Sequence, residues 1–138
     1  MSTRTVNAEW LGGFQVRVDA GRFEMRVDEP ESVGGTDTAA QPTDYLLASV
    51  ASCFVLSLVY CARKRSVELP SVQIAVVGTY DGPRFAEIAI EVVTGLPDDE
   101  AGRLIAAAER VCYVTNTLRR SPTITVRHRS GPGRSVTA

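Results

Sequence analysis

Three cysteines, Cys53, Cys61 and Cys112, are the residues of this chain best suited to carry chemistry. A thiolate is a strong nucleophile, and two thiols that meet can release two electrons by forming a disulfide. Cys53 and Cys61 lie eight residues apart in one apolar segment, which in a helix corresponds to a rise of about 12 Å. A disulfide needs Cα atoms within about 7 Å, so these two cannot bridge while the helix is intact. Cys112 is the cysteine that could pair with either, within one chain or between two.

The alternative interpretation is that the cysteines are packing residues. Free cysteine is among the most buried residue types and usually behaves as a small hydrophobe, and we keep this interpretation for Cys61. Cys112 has a different context, because an amphipathic run, "AGRLIAAAERVC", ends at it. Hydroxyls, an amide and two arginines follow in "YVTNTLRR". The residues alone leave open whether Cys53 and Cys112 form a redox pair.

The elements that must position the cysteines begin with strands. Residues 4–28 predict a β-meander, in which "FQVRVD" and "FEMRVD" alternate apolar and polar side chains around a turn at Ala20-Gly21. Alternation with period two on both sides of a glycine turn indicates a hairpin with one solvated face. The polar residues 28–44, rich in Pro, Gly and Thr, predict a loop that leads the chain into a helix.

Residues 45–64 predict a long helix that is apolar nearly all round. Its length is borderline for a membrane span, but serines interrupt it and charged residues flank it. We prefer a buried core helix, because the predicted strands need something to pack on. One domain of this size can hardly surround such a helix. We therefore predict a homodimer, in which a second copy of the chain packs against it.

A second hairpin and a second helix complete the predicted elements. Residues 72–95 predict a hairpin with its turn at Asp81-Gly82-Pro83. Pro97 and the acidic residues after it predict the start of a helix that runs to Cys112. The segment "TITVRHR", residues 123–129, predicts a last strand. This order of elements is typical of an α+β fold with antiparallel pairing.

Length and composition limit the class of protein. The 138 residues, 44% apolar and 22% charged, predict one globular domain over residues 1–130 and a flexible tail over residues 131–138. A formal charge of −1 argues against nonspecific nucleic-acid binding, which needs a basic face. A polar N-terminus and three cysteines predict a cytoplasmic protein with free thiols and no membrane anchor. His128 has no cysteine or histidine at zinc spacing around it, so no metal is predicted.

Three segments resemble the OsmC/Ohr superfamily, the osmotically inducible and organic hydroperoxide resistance proteins. "PTDYLLASVASC" (42–53) resembles the segment that leads into the first cysteine of this superfamily. "GLPDDEAGRLIAAAERVCYVTNTL" (95–118) resembles the segment around its second cysteine, and "DEPESVGG" (28–35) is similar to the loop before its long helix. The resemblance covers roughly residues 10–130, and the order of elements also matches.

The resemblance implies an OsmC-like fold, which is an intertwined homodimer with antiparallel sheets and two long helices packed at its centre. It also implies a thiol peroxidase without a metal or other cofactor, in which Cys53 attacks the hydroperoxide and Cys112 resolves the oxidised sulfur as a disulfide. By position, Asp44 corresponds to a carboxylate beside the thiolate. Arg17 is the candidate for the accompanying arginine, with Arg22 and Arg26 as weaker candidates. An external dithiol would recycle the oxidised enzyme.

The sequence is compatible with three functions. The reduction of organic hydroperoxides is the one that it favours. Its substrates are expected to be apolar, because the buried helix and Phe54 would form an apolar cleft beside the thiol. The alternative is an OsmC-like protein without efficient peroxidase activity, which binds a small apolar or thiol-reactive ligand in the dimer cleft. This alternative is favoured by the lack of an arginine on a clean motif. The third is a dimeric scaffold whose cysteines only pack. Tyr113, where many members have proline, could line the pocket.

Overall fold

The structure is a computed structural model that describes residues 1–132, and the chain falls into two compact units. The first unit comprises Met1–Tyr45 and the residues from Thr125 onward, and the second comprises Leu46–Ile124. The single domain predicted for residues 1–130 stays a prediction. The flexible tail predicted for residues 131–138 lies, from residue 133 onward, outside the described residues.

A three-stranded antiparallel sheet forms most of the first unit. Its strands are β1 (Asn7–Gly12), β2 (Gln15–Ala20) and β3 (Phe23–Val27), and each pairs with the next. The predicted turn after Ala20 is confirmed, and Gly21 adopts there a φ of 62° that glycine accepts without steric cost. The meander predicted for residues 4–28 is therefore present, with its first strand beginning three residues later, at Asn7.

The loop after β3 is organised by a fully buried carboxylate, that of Asp28. Its oxygens accept hydrogen bonds from the Thr36 and Thr38 hydroxyls, at 2.6 and 2.7 Å, and from the amide of Glu29 at 2.7 Å. The Thr36 and Thr38 amides donate as well. The loop also passes close to itself, since a Cβ on Gly35 would lie 1.9 Å from the Glu29 carbonyl oxygen. The side chain of Asp28 thus ties together both ends of residues 28–38.

We expect Asp28 to make the stability of the protein depend on pH in acid. The hydroxyls of Thr36 and then Thr38 hold the pKa of Asp28 well below its ordinary value, against the opposing effect of burial. A carboxyl group with a depressed pKa contributes stability above its unfolded pKa, about 3.9, and loses that contribution as the pH falls towards its folded pKa. Asp28→Asn should therefore lower the thermal midpoint at pH 7 by at least about 5 °C, and this difference should shrink between pH 4 and pH 2.

Asp37→Asn is the matched control for this prediction, because Asp37 is an exposed carboxylate of the same loop. Its φ of 53° is one that asparagine tolerates. Thermal unfolding of the three proteins, followed by circular dichroism from pH 2 to pH 7, is the measurement. If the thermal midpoint of Asp28→Asn stayed below that of the unchanged protein by the same amount at every pH, the pH dependence would not come from Asp28.

Two helices and a two-stranded sheet build most of the second unit. α1 begins in the first unit, with proline at its first helical position, where the missing N–H carries no penalty. β4 and β5 pair as the predicted antiparallel hairpin around residues 81–84. The elements are α1 (Pro42–Lys64), β4 (Val72–Tyr80), β5 (Phe85–Thr94), α2 (Asp98–Val111) and α3 (Tyr113–Arg119).

The core of the second unit lies where α1 and α2 pack against one face of the hairpin. Leu58 and Ala108 are fully buried there, and Phe54 is 3% exposed. Burying a side chain the size of leucine stabilises a fold by roughly 1.5–3 kcal/mol, so this contact holds the middle of α1 firmly in place. The strands contribute the apolar face predicted from their alternation, namely Val72, Ile74, Ile90 and Val92.

α1 is long and apolar enough to cross a membrane by length and composition alone, a test that the core helix of a globular protein also passes. Only part of its surface is covered within one chain. Val50 and Leu58 are fully buried, whereas Leu56 is 67% exposed and Tyr60 is 52% exposed. The prediction of an apolar surface nearly all round the helix is thus confirmed, with one side left uncovered by this chain.

The structure corrects two predictions about the C-terminal third. The helix predicted to run to Cys112 ends at Val111, and a further short helix, α3, follows that the sequence pattern did not predict. The strand predicted for residues 123–129 is wrong, because this segment has no ladder partner among the described residues. Its apolar side chains Ile124 and Val126 are 83% and 93% exposed. Alternation alone does not make a strand when no neighbouring strand completes the hydrogen bonds.

Candidate active site

Cys53 and Cys112 lie together in the second unit. Cys53 is half-buried near the middle of α1, where it lines a cavity of about 860 Å³. Cys112 is fully buried in an apolar cluster, and Cys53 packs against that cluster. Both thiols are free, as is that of Cys61, which is buried in the same apolar cluster. The arrangement presents one thiol to the cavity and keeps a second thiol directly behind it.

Cys112 occupies the junction between α2 and α3. Its backbone is extended, with φ −75° and ψ 106°, so the helix breaks at this residue. Its N–H donates to the Ala108 carbonyl at 3.0 Å, and its carbonyl accepts from the Asn116 N–H at 3.0 Å. Both helices are therefore hydrogen-bonded to the backbone of Cys112, which fixes the position of that backbone.

The surroundings of Cys112 favour the ionised form of its thiol. Burial alone raises the pKa of this thiol, because an apolar environment disfavours the anion. The hydroxyl and amide of Thr115 act in the opposite direction, as do the Cys53 thiol and the Ser57 hydroxyl. Together these donors hold the pKa of Cys112 below its ordinary value.

The cavity beside Cys53 is mostly apolar and has cations at its edge. α1 supplies Leu56 and Tyr60 to its wall. Arg110 and Arg120 line it as well, and neither lies within salt-bridge distance of a carboxylate in residues 1–132. Its other lining residues are Ser57, Val111, Tyr113, Asn116, Thr117 and Pro122. Such a cavity suits a small molecule with an apolar body and a polar or anionic end.

Metal binding finds no support in the part of the chain that the structure describes. No group of three or more His, Cys, Asp or Glu side chains is placed there to hold a metal ion. His128 is exposed.

Comparison with known proteins identifies the family. A family model described as OsmC-like protein matches residues 35–127, about two thirds of the chain. The chain belongs to the OsmC-like family. The superfamily resemblance read from the sequence and the α+β, OsmC-like fold class are thereby confirmed.

Three relatives place this OsmC-like protein among its neighbours. A Haloferax volcanii protein without an assigned function is 29% identical over 123 residues, covering 86% of this chain and 87% of its own. An OsmC-like protein from Mycoplasma pneumoniae superposes with a TM-score of 0.73 at 16% identity, over 87% of this chain and 89% of its own. The organic hydroperoxide resistance protein OsmC from Legionella pneumophila superposes with a TM-score of 0.63 at 23% identity, over 86% and 90%. Because both solved structures are less than 25% identical to this chain, their similarity establishes its fold alone.

Arg17, the candidate arginine, belongs to the first unit of this OsmC-like protein. Its guanidinium lies 3.0 Å from the Glu9 carboxylate and 3.4 Å from that of Asp19, and Glu24 lies at 4.0 Å. Of the weaker candidates, Arg26 pairs with Glu24 at 2.9 Å, and Arg22 lies over the ring of Phe23 at 4.9 Å. Arg17 is thus engaged by carboxylates of its own sheet, and its role beside a thiolate stays a prediction.

Asp44, the candidate carboxylate, also belongs to the first unit. It lies exposed in the first turn of α1, where its charge is favourable near the positive end of the helix dipole. It also lines a small polar cavity of about 290 Å³ with Asp37 and Gln41. Like that of Arg17, its catalytic role stays a prediction.

Sequence reasoning located some residues of the candidate site and its surroundings and missed others. Tyr113 does line the cavity, as its position after the second cysteine suggested. Arg110 and Thr115 were missed, because neither stands in a recognisable motif. The available signal was their closeness in sequence to Cys112, two residues before it and three after it.

Proposed function

We propose that this OsmC-like protein is a cysteine-based peroxidase that reduces organic hydroperoxides, with Cys53 attacking and Cys112 resolving. One observation carries the proposal: Cys53 opens on an apolar cavity and packs against the cluster that contains the buried Cys112. Cys112 is inaccessible to a substrate but belongs to the cluster that Cys53 contacts. A redox pair needs this combination of one exposed and one neighbouring thiol.

The proposed reaction balances over two thiols. The Cys53 thiolate attacks the distal oxygen of the hydroperoxide, the O–O bond breaks, and the alkoxide leaves as the alcohol after taking a proton. Cys53 is then a sulfenic acid. The Cys112 thiolate attacks the Cys53 sulfur, a disulfide forms, and hydroxide leaves as water. An external dithiol then reduces the disulfide through a mixed disulfide, which returns two electrons to the pair.

The proposal includes Arg17 as the cation that stabilises the Cys53 anion and Asp44 as the carboxylate beside it, as the superfamily resemblance implies. Burial of Cys53 in an apolar helix would otherwise disfavour its thiolate. To serve in this way, Arg17 must exchange at least one of its ion pairs with Glu9 and Asp19 for the sulfur. These pairs are partly exposed to solvent, where an ion pair contributes little, so the exchange costs about 1 kcal/mol or less.

We also propose that the working unit is a homodimer in the cytoplasm. The uncovered side of α1, with Leu56 and Tyr60 exposed, is the kind of apolar surface that a second copy would bury. In the hairpin sheet, Val77 and Val93 are likewise 60% and 54% exposed. The three free thiols suit a reducing compartment. Analytical ultracentrifugation should give the mass of two chains, 29.8 kDa from 14.9 kDa each.

One observation favours a second function, binding without efficient peroxidase activity. The Arg17 guanidinium is held by carboxylates of its own sheet, so its charge is already neutralised there. In that case the same cavity would bind a small apolar or thiol-reactive ligand, and Cys53 would react slowly. The two functions predict different reactions with one equivalent of peroxide. The peroxidase would oxidise both Cys53 and Cys112, whereas the binding protein would not.

Peptide mass spectrometry of the reduced protein, before and after one equivalent of cumene hydroperoxide, tests the proposal. We expect the loss of two hydrogens, mapped to a Cys53–Cys112 linked peptide. Cys61 should remain a thiol, because it lies about 12 Å along α1 from Cys53 and is buried in the core. Unchanged thiols, or slow oxidation spread over all three, would instead support the binding protein.

We expect the cavity arginines to select substrates with an anionic end. Replacing Arg110 and Arg120 by glutamine removes two unpaired cations that line the cavity. An exposed charge contact contributes up to about 1 kcal/mol, so KM for a carboxylate-bearing hydroperoxide should rise roughly threefold to fivefold per arginine. KM for neutral cumene hydroperoxide should stay unchanged. Steady-state kinetics with both substrates is the measurement.

Arg119→Gln is the control for this selectivity, because Arg119 ends α3 next to Arg120 in the chain but does not line the Cys53 cavity. It removes the same charge at nearly the same place in the chain. An equal rise in KM for both substrates, or the same effect from Arg119→Gln, would show that the two cavity arginines do not contact an anionic group.

A further inference from the structure

The break between α2 and α3 changes how the end of α2 is hydrogen-bonded. In a continuous helix each carbonyl accepts from the N–H four residues on, so the Arg110 carbonyl would accept from Val114. Because α2 ends at Val111 and Cys112 is extended, Arg110 is among the last residues of the helix. The last carbonyls of a helix have no donor within it, and side chains, water or other groups satisfy them.

Asn116, on α3, supplies a donor for the end of α2. Its side-chain amide donates to the Arg110 carbonyl at 3.2 Å. Because a main-chain carbonyl can only accept, the side chain presents its NH₂ group there. The backbone N–H of Asn116 donates to the Cys112 carbonyl at 3.0 Å. One residue of α3 is thus bonded both to the end of α2 and to the cysteine at the break.

The two threonine hydroxyls of α3 do not reach α2. The Thr115 hydroxyl donates to the Cys112 carbonyl over a long 3.4 Å. The Thr117 hydroxyl donates to the Tyr113 carbonyl at 2.6 Å, within α3. Among the described residues, the bond from the Asn116 side chain is therefore the side-chain hydrogen bond that joins α3 to α2.

We propose that Asn116 is a positioning residue that holds Cys112 in place for its attack on the oxidised Cys53. The inference rests on the proposed peroxidase reaction, in which the Cys112 thiolate attacks the Cys53 sulfur, the S–O bond breaks, and hydroxide leaves as water. Such a step depends on orientation, and a displacement of about 1 Å can slow it about a hundredfold. Cys112 lies where the helical hydrogen bonds are interrupted, so a bond across the break limits how far it can move.

The helix propensity of asparagine separates this role from a purely structural one. Asparagine is a poorer helix former than alanine, so Asn116→Ala should favour α3 itself while removing the bond to Arg110. A slower reaction of Cys112 in this variant could then not be ascribed to a weakened helix. Asn116 also lines the Cys53 cavity. The two measurements that follow are therefore made without substrate, or after the substrate has reacted.

The first test needs no peroxide and follows the protection of Cys112. This residue is fully buried, so iodoacetamide can alkylate it only when the structure opens locally. In a Cys53→Ser background, Asn116→Ala should speed its alkylation roughly fivefold, as expected for one lost hydrogen bond. Asn116→Gln keeps the donor and should preserve most of the protection. Thr117→Val, which removes a bond within α3, should leave alkylation unchanged. Peptide mass spectrometry measures the rates.

The second test follows the reaction in the chain with all three cysteines. One equivalent of cumene hydroperoxide is added, and the surviving Cys53 sulfenic acid is trapped with dimedone at intervals. Asn116→Ala should lengthen the lifetime of the sulfenic acid about tenfold, and Asn116→Gln should restore it. This lifetime is measured after the peroxide has reacted, so it does not depend on how the cavity binds the substrate.

The two tests separate the role of Asn116 from the peroxidase function. Alkylation of Cys112 at an unchanged rate in Asn116→Ala would overturn the proposal, as would an unchanged lifetime of the sulfenic acid. Failure of peroxide to oxidise Cys53 in the unchanged protein would overturn the peroxidase function instead. The alkylation rates would still decide whether Asn116 holds Cys112 in place.

Discussion

Cys53→Ser is expected to abolish hydroperoxide reduction, with turnover lowered by at least about a thousandfold. The serine hydroxyl occupies nearly the same volume on α1, but it is not ionised near neutral pH and cannot form a sulfenic acid. The cavity should therefore stay intact while the attacking group is lost. Consumption of cumene hydroperoxide, with dithiothreitol as the reductant, measures the effect.

Cys61→Ala is the matched control for Cys53→Ser. Cys61 lies on the same helix and is buried in the apolar cluster, away from the cavity. Its replacement should leave the turnover unchanged and cost only the packing of one small side chain. If Cys53→Ser kept a substantial fraction of the activity, or if Cys61→Ala lost it, the attacking thiol would have been assigned to the wrong residue.

Cys112→Ser is expected to separate the first oxidation from turnover. Cys53 should still reduce one equivalent of hydroperoxide per chain, because Cys112 lies behind it and does not line the cavity. Without the second sulfur no intramolecular disulfide can form, so turnover should fall by about a hundredfold or more. The sulfenic acid of Cys53 should accumulate, and dimedone labelling with mass spectrometry should detect it.

The result for Cys112→Ser distinguishes three roles of Cys112. A single stoichiometric oxidation followed by arrest supports a resolving thiol in this position. Unimpaired turnover would mean that an external thiol resolves Cys53 directly, and Cys112 would then only join α2 to α3. Arrest of the first oxidation as well would mean that Cys112 is needed to activate Cys53 rather than to resolve it. Thermal unfolding of the variant serves as the control for its folding.

Local patterns in the sequence predicted most of the secondary structure. The two hairpins were identified from alternation around glycine turns, and both are present because each strand has its partner next to it in the chain. The prediction for residues 123–129 failed for the complementary reason. That segment has the alternation of a strand, but pairing is a property of two segments, and no partner is supplied within the described residues.

The candidate site was predictable to the extent that it depends on the cysteines. Their spacing excluded a Cys53–Cys61 bridge, and the resemblance of the two surrounding segments singled out Cys53 and Cys112. Arg110 and Thr115 could not be found in this way. The break at Cys112 starts a new helix, and on that helix the buried Thr115 hydroxyl donates to the Cys112 carbonyl. No periodicity in the sequence marks such a turn.

The sequence by itself indicated most of the elements, the family and the two candidate thiols, because these depend on residue type, local order and spacing. Only the tertiary structure decided which groups share an environment. It placed Cys53 on a cavity and buried Cys112 in the apolar cluster against which Cys53 packs. It also showed Arg17 engaged by carboxylates of its own sheet. These are distances between residues far apart in the chain, and packing sets them rather than local conformational preference.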